Sequence, residues 1–296
     1  MILFMLFLLL TSPQTIHAQD GNITFGAFAD CQYCDCETHG TRYYRNAYEK
    51  LKSAINHFNE VKNMDFIVNL GDLIDNGFES FAPVMSLLEK SENPIFHILG
   101  NHDFSVEPQY LSEVPKQLGL DKTYYSFSEK GWKFIILDGN DISFSSADEG
   151  KVKLAETMSA QLKSEGKPNH HNWNGAISEE QLQWFDNQLR QSENQNRKVA
   201  VFCHFPLLPY ESHTLWNQAE IISVIENYNC VKLWLNGHNH AGNYAFHHGV
   251  HFVNLKGMVE TESENAFSVI TLSDDFIEIT GFGREKSQKL SISGKN

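Results

Sequence analysis

Five short strings hold the side chains able to do chemistry: Asp30-Cys31-Gln32, Gly71-Asp72, Gly100-Asn101-His102-Asp103, Cys203-His204 and Gly237-His238-Asn239-His240. Carboxylate, amide oxygen and neutral imidazole form a borderline donor set that suits manganese, iron, zinc or cobalt. Asp72 is a hard anionic ligand that can bridge two cations, and Gly71 beside it lets the backbone turn sharply beneath them. Asp30 and Gln32, two apart on an extended segment, point to one face, where His240 completes a first metal site. Asn101, His204 and His238 give the second, with His238 and His240 again sharing a face. Two divalent cations held this way are suited to promoting attack on phosphorus. His102, next to a ligand, faces the substrate and donates a proton or hydrogen bond to the leaving oxygen, with Asp103 orienting its ring. Asp75 either supports the site from behind or caps the following turn. One histidine alone is usually a packing or surface residue; it is the coincidence of five strings that favours ligands.

The elements that must position these strings are legible from periodicity. Apolar runs at Ile23–Ala29, Phe66–Leu70, Ile95–Leu99, Val199–Cys203 and Val231–Leu235 each end at a string and read as buried strands. Between them, Tyr43–Val61, Ser178–Leu189 and Asn217–Tyr228 carry helical spacing, the second opening with a Ser178–Gln181 capping box. Alternating strand and crossover helix predicts a layered α/β fold with its site at the carboxyl ends of the strands. Phe127–Phe134 and Ala245–Phe252 read as hairpins, so mixed β-sheets flanked by helices are expected. The polar stretch 141–176, with a short helix over Val152–Leu162, reads as a lid or binding insert, or else as a disordered surface excursion.

With 296 residues, 41% of them hydrophobic, and no Pro/Gly/Ser linker, the chain suits one catalytic domain over 19–296. A net charge of −14 argues against a protein that binds nucleic acid by neutralising phosphates. Met1–Leu10 is almost wholly apolar, too short to span a bilayer, and leads to a small residue at Ala18. Residues 1–18 therefore read as a signal peptide, giving a periplasmic or secreted protein with no stable membrane association after its removal. The missing Lys and Arg ahead of the apolar run leave an uncleaved anchor or a misassigned start as the alternative. Cys31, Cys34 and Cys36 crowd one loop but lack the second pair of a zinc ribbon, so buried or loop-borne thiols are expected, with Cys31 facing away from the ligands.

The order Asp-x-Gln, Gly-Asp-x-x-Asp, Gly-Asn-His-Asp, His and Gly-His-x-His resembles the calcineurin-like metallophosphoesterase superfamily. Within it the chain resembles the manganese-dependent ADP-ribose/CDP-alcohol diphosphatases, through Gly40–Arg45, Asn174–Ser178 with Gln181–Trp184, and Asn254–Thr261. The resemblance runs from Phe25 to Gly283 and implies a metallophosphoesterase sandwich with a dimetal centre. It also implies cleavage of the diphosphate bond of ADP-ribose, CDP-alcohols or related small nucleoside diphosphate compounds by in-line attack of metal-bound hydroxide. Gln32 stands where most of the superfamily has histidine; its neutral oxygen donor makes Mn2+ a better guess than zinc. The loop between Gln32 and Arg42 is short where vertebrate members are longer, leaving substrate preference open. Arg42 and Arg45 either meet the distal phosphate or form the solvated face of a helix start. The same dimetal centre also serves other phosphodiesterases and phosphomonoesterases, and some superfamily members act as non-catalytic scaffolds. Scaffolds lose ligands, whereas here only His-to-Gln departs from the general pattern.

Overall fold

A computed structural model describes residues 21–293; the leader expected over 1–18 lies outside that range. The first half holds β1 (Ile23–Phe28), α1 (Ala47–Glu60), β2 (Phe66–Asn69), α2 (Phe81–Leu88), β3 (Ile95–His97), α3 (Val114–Gln117), β4 (Tyr125–Glu129) and β5 (Trp132–Ile136). Then come α4 (Glu149–Ser164), α5 (Glu179–Asn194), β6 (Lys198–Phe202), α6 (Gln218–Ile225), β7 (Val231–Asn236), β8 (Asn243–His247) and β9 (Val250–Asn254). Strands β10 (Ala266–Leu272), β11 (Phe276–Gly283) and β12 (Gln288–Ser291) close the fold.

Alternate residues of the central strands serve two different cores, as a pleat buried on both faces requires. Phe25, Ala27, Phe66 and Val68 point inward and meet Phe134, Ala200, Phe202 and Leu235, filling the space between two sheets. Phe28 and Ile67 point outward and are covered by Leu51, Ile55 and Phe58 of α1 and Val84 and Leu87 of α2. On the other side Ile135, Val199 and Trp234 are covered by Phe185 and Leu189 of α5 and Ile221 and Ile225 of α6. Helices thus sandwich two sheets, ordered β12-β11-β10-β1-β2-β3 and β4-β5-β6-β7-β9-β8. Both are mixed: β1 runs parallel to β2 and antiparallel to β10, and β5 runs parallel to β6 and antiparallel to β4. The two expected hairpins turn at Lys130-Gly131 and His248-Gly249, both pairs with positive φ, the conformation that matches strand twist. Among the described residues no helix is long and apolar enough to cross a membrane.

Local differences from the sequence expectations have specific causes. Helix α1 begins at Ala47 rather than Tyr43, because Arg42 and Tyr43 pair with the Val259–Glu260 backbone instead. Ser178 Oγ caps α5 by accepting from Gln181 N, but the Gln181 side chain does not reach back; it binds the backbone of Asp138 and the Asp141 carboxylate. Within the 141–176 stretch α4 runs over Glu149–Ser164, Asp148 caps that helix, and mutual Ile142–Ala176 backbone bonds of 2.9 Å close its base. Cys34 and Cys36 are joined as a disulfide rather than carrying thiols, while Cys31, Cys203 and Cys230 are buried and free.

One buried group makes the fold sensitive to acid. His97, on β3, accepts from Asn69 Nδ2 at 3.3 Å, and burial holds its pKa down to about 4 from 6.5. The unfolded chain therefore binds a proton that the folded chain refuses, and the side chain's contribution, complete above 6.5, is lost as pH falls toward 4. The loss amounts to at most about 3 kcal/mol. His97→Gln should flatten the fall in urea-unfolding free energy across that window, measured in chelator so that metal release adds nothing. An unchanged pH slope would remove His97 from the account.

Candidate metal centre

All five strings meet where β1, β2, β3, β6 and β7 end. Asp30, Gln32, Asp72 and His238 have φ values of 51°, 47°, 54° and 70°, a left-handed conformation that side-chain-bearing residues rarely adopt. The Asp30–Gln32 segment is therefore not extended, as its spacing suggested. It is held in its turn by Asp30 N donating to Gly71 O at 3.1 Å and Gln32 N to Asp72 O at 2.8 Å. Strain concentrated at one place shows that the surrounding fold fixes these side chains. Glycine makes the crowding feasible: a Cβ on Gly237 would lie 2.6 Å from Asp30 Oδ2, and one on Gly71 2.6 Å from His204 Nδ1.

Each histidine has one ring nitrogen committed to an oxygen that can only accept, which fixes its tautomer. His204 Nδ1 donates to Leu70 O at 2.8 Å, His240 Nδ1 to Glu260 Oε1 at 2.8 Å, and His238 Nε2 to Asn174 Oδ1 at 2.9 Å. Once a cation displaces the second ring proton, the opposite nitrogens offer their lone pairs. His204 Nε2 lies 3.2 Å from Asp72 Oδ2 and His240 Nε2 3.4 Å from Asp30 Oδ1. Gln32 Nε2 sits 3.1 Å from Asp72 Oδ2 and 3.2 Å from His240 Nε2. Donor atoms of Asp72, His204 and His238 all fall within 4.8 Å of one another.

The electrostatics favour a cation. Burial alone would raise the Asp72 pKa, but His204, His102 and His238 outweigh it and hold it well below the carboxylate range. Burial likewise opposes charge on His204 and His240, yet Asp72 beside the first and Asp30 beside the second push both pKa values up to about 9. His238 is kept neutral by burial and by its neighbour His204. Gln32 Oε1 and Asn101 Oδ1 are buried with no hydrogen-bond partner. Unpaired buried polar atoms would be costly in a purely structural cluster, and they are what oxygen- and nitrogen-binding cations need. The donor set fits a dimetal centre.

The second half of the Gly100–Asp103 string behaves differently from expectation. Asp103 does not orient His102. Its buried carboxylate accepts from the backbone N–H groups of Gly100, Asp72, Leu73 and Ile74, at 2.8 to 3.3 Å, and so ties together two of the metal-facing loops. Asp75 takes the position beside the imidazole, its Oδ1 2.9 Å from His102 Nδ1. Burial lowers the His102 pKa, but Asp72 and Asp75 outweigh it, so the net shift is upward and favours the protonated ring.

The centre opens into a cavity of about 540 Å3. Asn101 and His102 line it, as do Arg42 and, from the 141–176 stretch, Ser143, Phe144 and Trp173. His213, unremarked in the sequence, is also on the wall. Arg45 is absent from it: its guanidinium turns outward to Asp35 and Glu37, at 2.5 and 2.8 Å, and closes the 35–45 loop on itself.

The model of the calcineurin-like phosphoesterase family matches residues 23–242. A protein of Arabidopsis thaliana named manganese-dependent ADP-ribose/CDP-alcohol diphosphatase is 32% identical, over 89% of this chain and 95% of its own. The Homo sapiens protein of the same name is 29% identical, over 88% of this chain and 90% of its own. A crystal structure described as a dimetal phosphatase from Danio rerio superposes with a TM-score of 0.82 at 27% identity, covering 92% of this chain and 99% of that one. With the match spanning every ligand-bearing string from Asp30 to His240 on the sandwich already described, the chain belongs to the calcineurin-like phosphoesterase family.

Proposed function

We propose that this metal-dependent hydrolase cleaves the diphosphate bond of small nucleoside diphosphate compounds of the ADP-ribose and CDP-alcohol type, with manganese in both metal positions. The observation that carries the reading is the donor set: three imidazoles, each with one nitrogen committed to an acceptor, beside two buried carboxylates, with the Gln32 and Asn101 amide oxygens buried and unpaired. Similarity along most of the chain to relatives named for manganese and for these substrates supports the finer choice.

One position takes Asp30, Gln32, Asp72 and His240, the other Asp72, Asn101, His204 and His238. Two divalent cations bound there supply an activated water and neutralise charge on the phosphoryl oxygens. Asp72 faces donors of both positions and holds their spacing. His102, with Asp75 on Nδ1, presents its Nε2 proton to the departing oxygen. Arg42, on the cavity wall and 4.0 Å from Glu260, meets the distal phosphate. A chain of net charge −14 whose cavity, among the described residues, is lined by no Lys or Arg but Arg42 suits a small substrate and not a polynucleotide.

The test is to load the purified chain with manganese and compare hydrolysis of ADP-ribose, CDP-choline, a cyclic nucleotide and a simple phosphomonoester. Either diphosphate should react fastest. Faster turnover of the phosphomonoester or the cyclic nucleotide would reassign the substrate class. No turnover together with no bound metal would make the chain a scaffold.

A further inference from the structure

We infer that Lys50, on α1, is a positioning residue for the metal position built on His240, acting through the Met258–Thr261 segment and Glu260. Its ammonium, with three protons to share, lies within reach of four successive carbonyls, Met258 O at 2.8 Å, Val259 O at 3.4 Å, Glu260 O at 2.9 Å and Thr261 O at 2.7 Å. The residue is only 5% exposed, and among the described residues its amine hydrogen-bonds to no carboxylate. Burying an ammonium is costly, and burial, with Arg284 nearby, brings the Lys50 pKa down to about 8. Packing of α1 does not require that cost, because Leu51, Ala54, Ile55 and Phe58 already anchor the helix to the sheet.

What the ammonium achieves lies across from it. Four consecutive carbonyls facing one point repel one another unless a cation sits at the focus. With Lys50 there, the segment curls, and its other edge is pinned to the metal-facing turn by Met258 N donating to Ala29 O and Val259 N to Asp30 O, each at 2.9 Å. The curl leaves Glu260 with its carboxylate 2.8 Å from His240 Nδ1, fixing the tautomer that directs Nε2 toward Asp30. Partners of metal-ligating histidines set ligand orientation and basicity, and their loss weakens metal binding by about 10- to 100-fold.

The inference rests on His240 being a metal ligand, and the experiment separates the two ideas. Manganese(II) is titrated calorimetrically into wild type, His240→Ala, Lys50→Met, Glu260→Gln and the Lys50→Met/Glu260→Gln double variant, each checked for folding by circular dichroism. Wild type should bind two equivalents and His240→Ala one. Lys50→Met and Glu260→Gln should each weaken one equivalent by about 10- to 100-fold and leave the other unchanged. The double variant should be no weaker than the weaker single one, since both act along one route. Wild-type affinity in Lys50→Met, or additive losses in the double variant, overturns the role of Lys50 while the ligand set stands. Wild-type affinity in Glu260→Gln does the same even where Lys50→Met fails to fold. Two undiminished equivalents in His240→Ala overturn the ligand reading and the inference with it.

Discussion

Asp72→Asn should lose manganese from both positions and lower turnover by about a thousandfold or more, because the Lewis-acid contribution at stake is worth several kcal/mol. The substitution keeps the side chain's shape, so the loss can be assigned to charge. Asp72 Oδ1 accepts the His102 backbone N–H at 2.7 Å and Oδ2 accepts from Gln32 at 3.1 Å, contacts an amide oxygen can partly reproduce. What an amide cannot reproduce is the field that holds the His204 pKa up at about 9 against its own burial. The same field is what would draw a dication between the imidazoles. Metal stoichiometry by mass spectrometry of the native protein, alongside kcat at saturating manganese, decides the matter. Two bound ions with near-normal turnover would show that Asp72 is not shared. A thermal transition in chelator close to that of wild type would confirm that the fold had survived.

How far this centre could be read from sequence depended on whether a residue's role is set by its neighbours in the chain or by partners far away. The strand runs, the mixed sheets, the hairpins and a helix expected over Val152–Leu162, which the structure extends to Glu149–Ser164, follow from periodicity and turn chemistry, which are local. Asp30, Gln32, Asp72, Asn101, His204, His238 and His240 are expected as ligands because they stand at strand ends, and the structure brings those strand ends to one place. Their backbone was misread: a period-two rule assumes extended residues, and left-handed φ at Asp30 and Gln32 comes from bonds to Gly71 and Asp72, some forty positions away. Asn174 and Glu260 were missed as histidine partners although both lie in strings already noticed, since nothing local links them to His238 and His240. Gln181 fits a capping-box pattern but is drawn off by Asp138 and Asp141. Arg45 fits a phosphate contact but has nearer acids in its own loop. Asp103 was chosen over Asp75 by adjacency in sequence, whereas a short helical turn beginning at His102 carries the next side chain inward to the backbone.

That exchange of Asp103 for Asp75 gives the second large effect its form. His102→Ala should keep both metals and lower kcat by about 10²- to 10⁴-fold, the usual range for a positioned acid. Among the described residues the His102 ring pairs closely with Asp75, while Asp72 and Asp30 pair with His204 and His240, so metal has no reason to leave. Asp72 and Asp75 raise the His102 pKa above its ordinary value against the effect of burial. A raised value means that the protonated acid is present below that pKa and is lost as pH rises through it, so His102 should set the basic limb of the kcat profile. Asp75→Asn removes one of the two anionic supports and should move that limb to lower pH with metal affinity unchanged. Asp103→Asn should act otherwise: it disturbs four backbone hydrogen bonds beneath Asp72 and Gly100, and so should weaken metal binding and lower stability rather than displace the limb through His102. Three variants therefore separate an acid, its support and a loop tie. A basic limb unmoved by Asp75→Asn, or manganese lost from His102→Ala, would contradict the assignment, the first by freeing His102 of Asp75 and the second by making it a ligand.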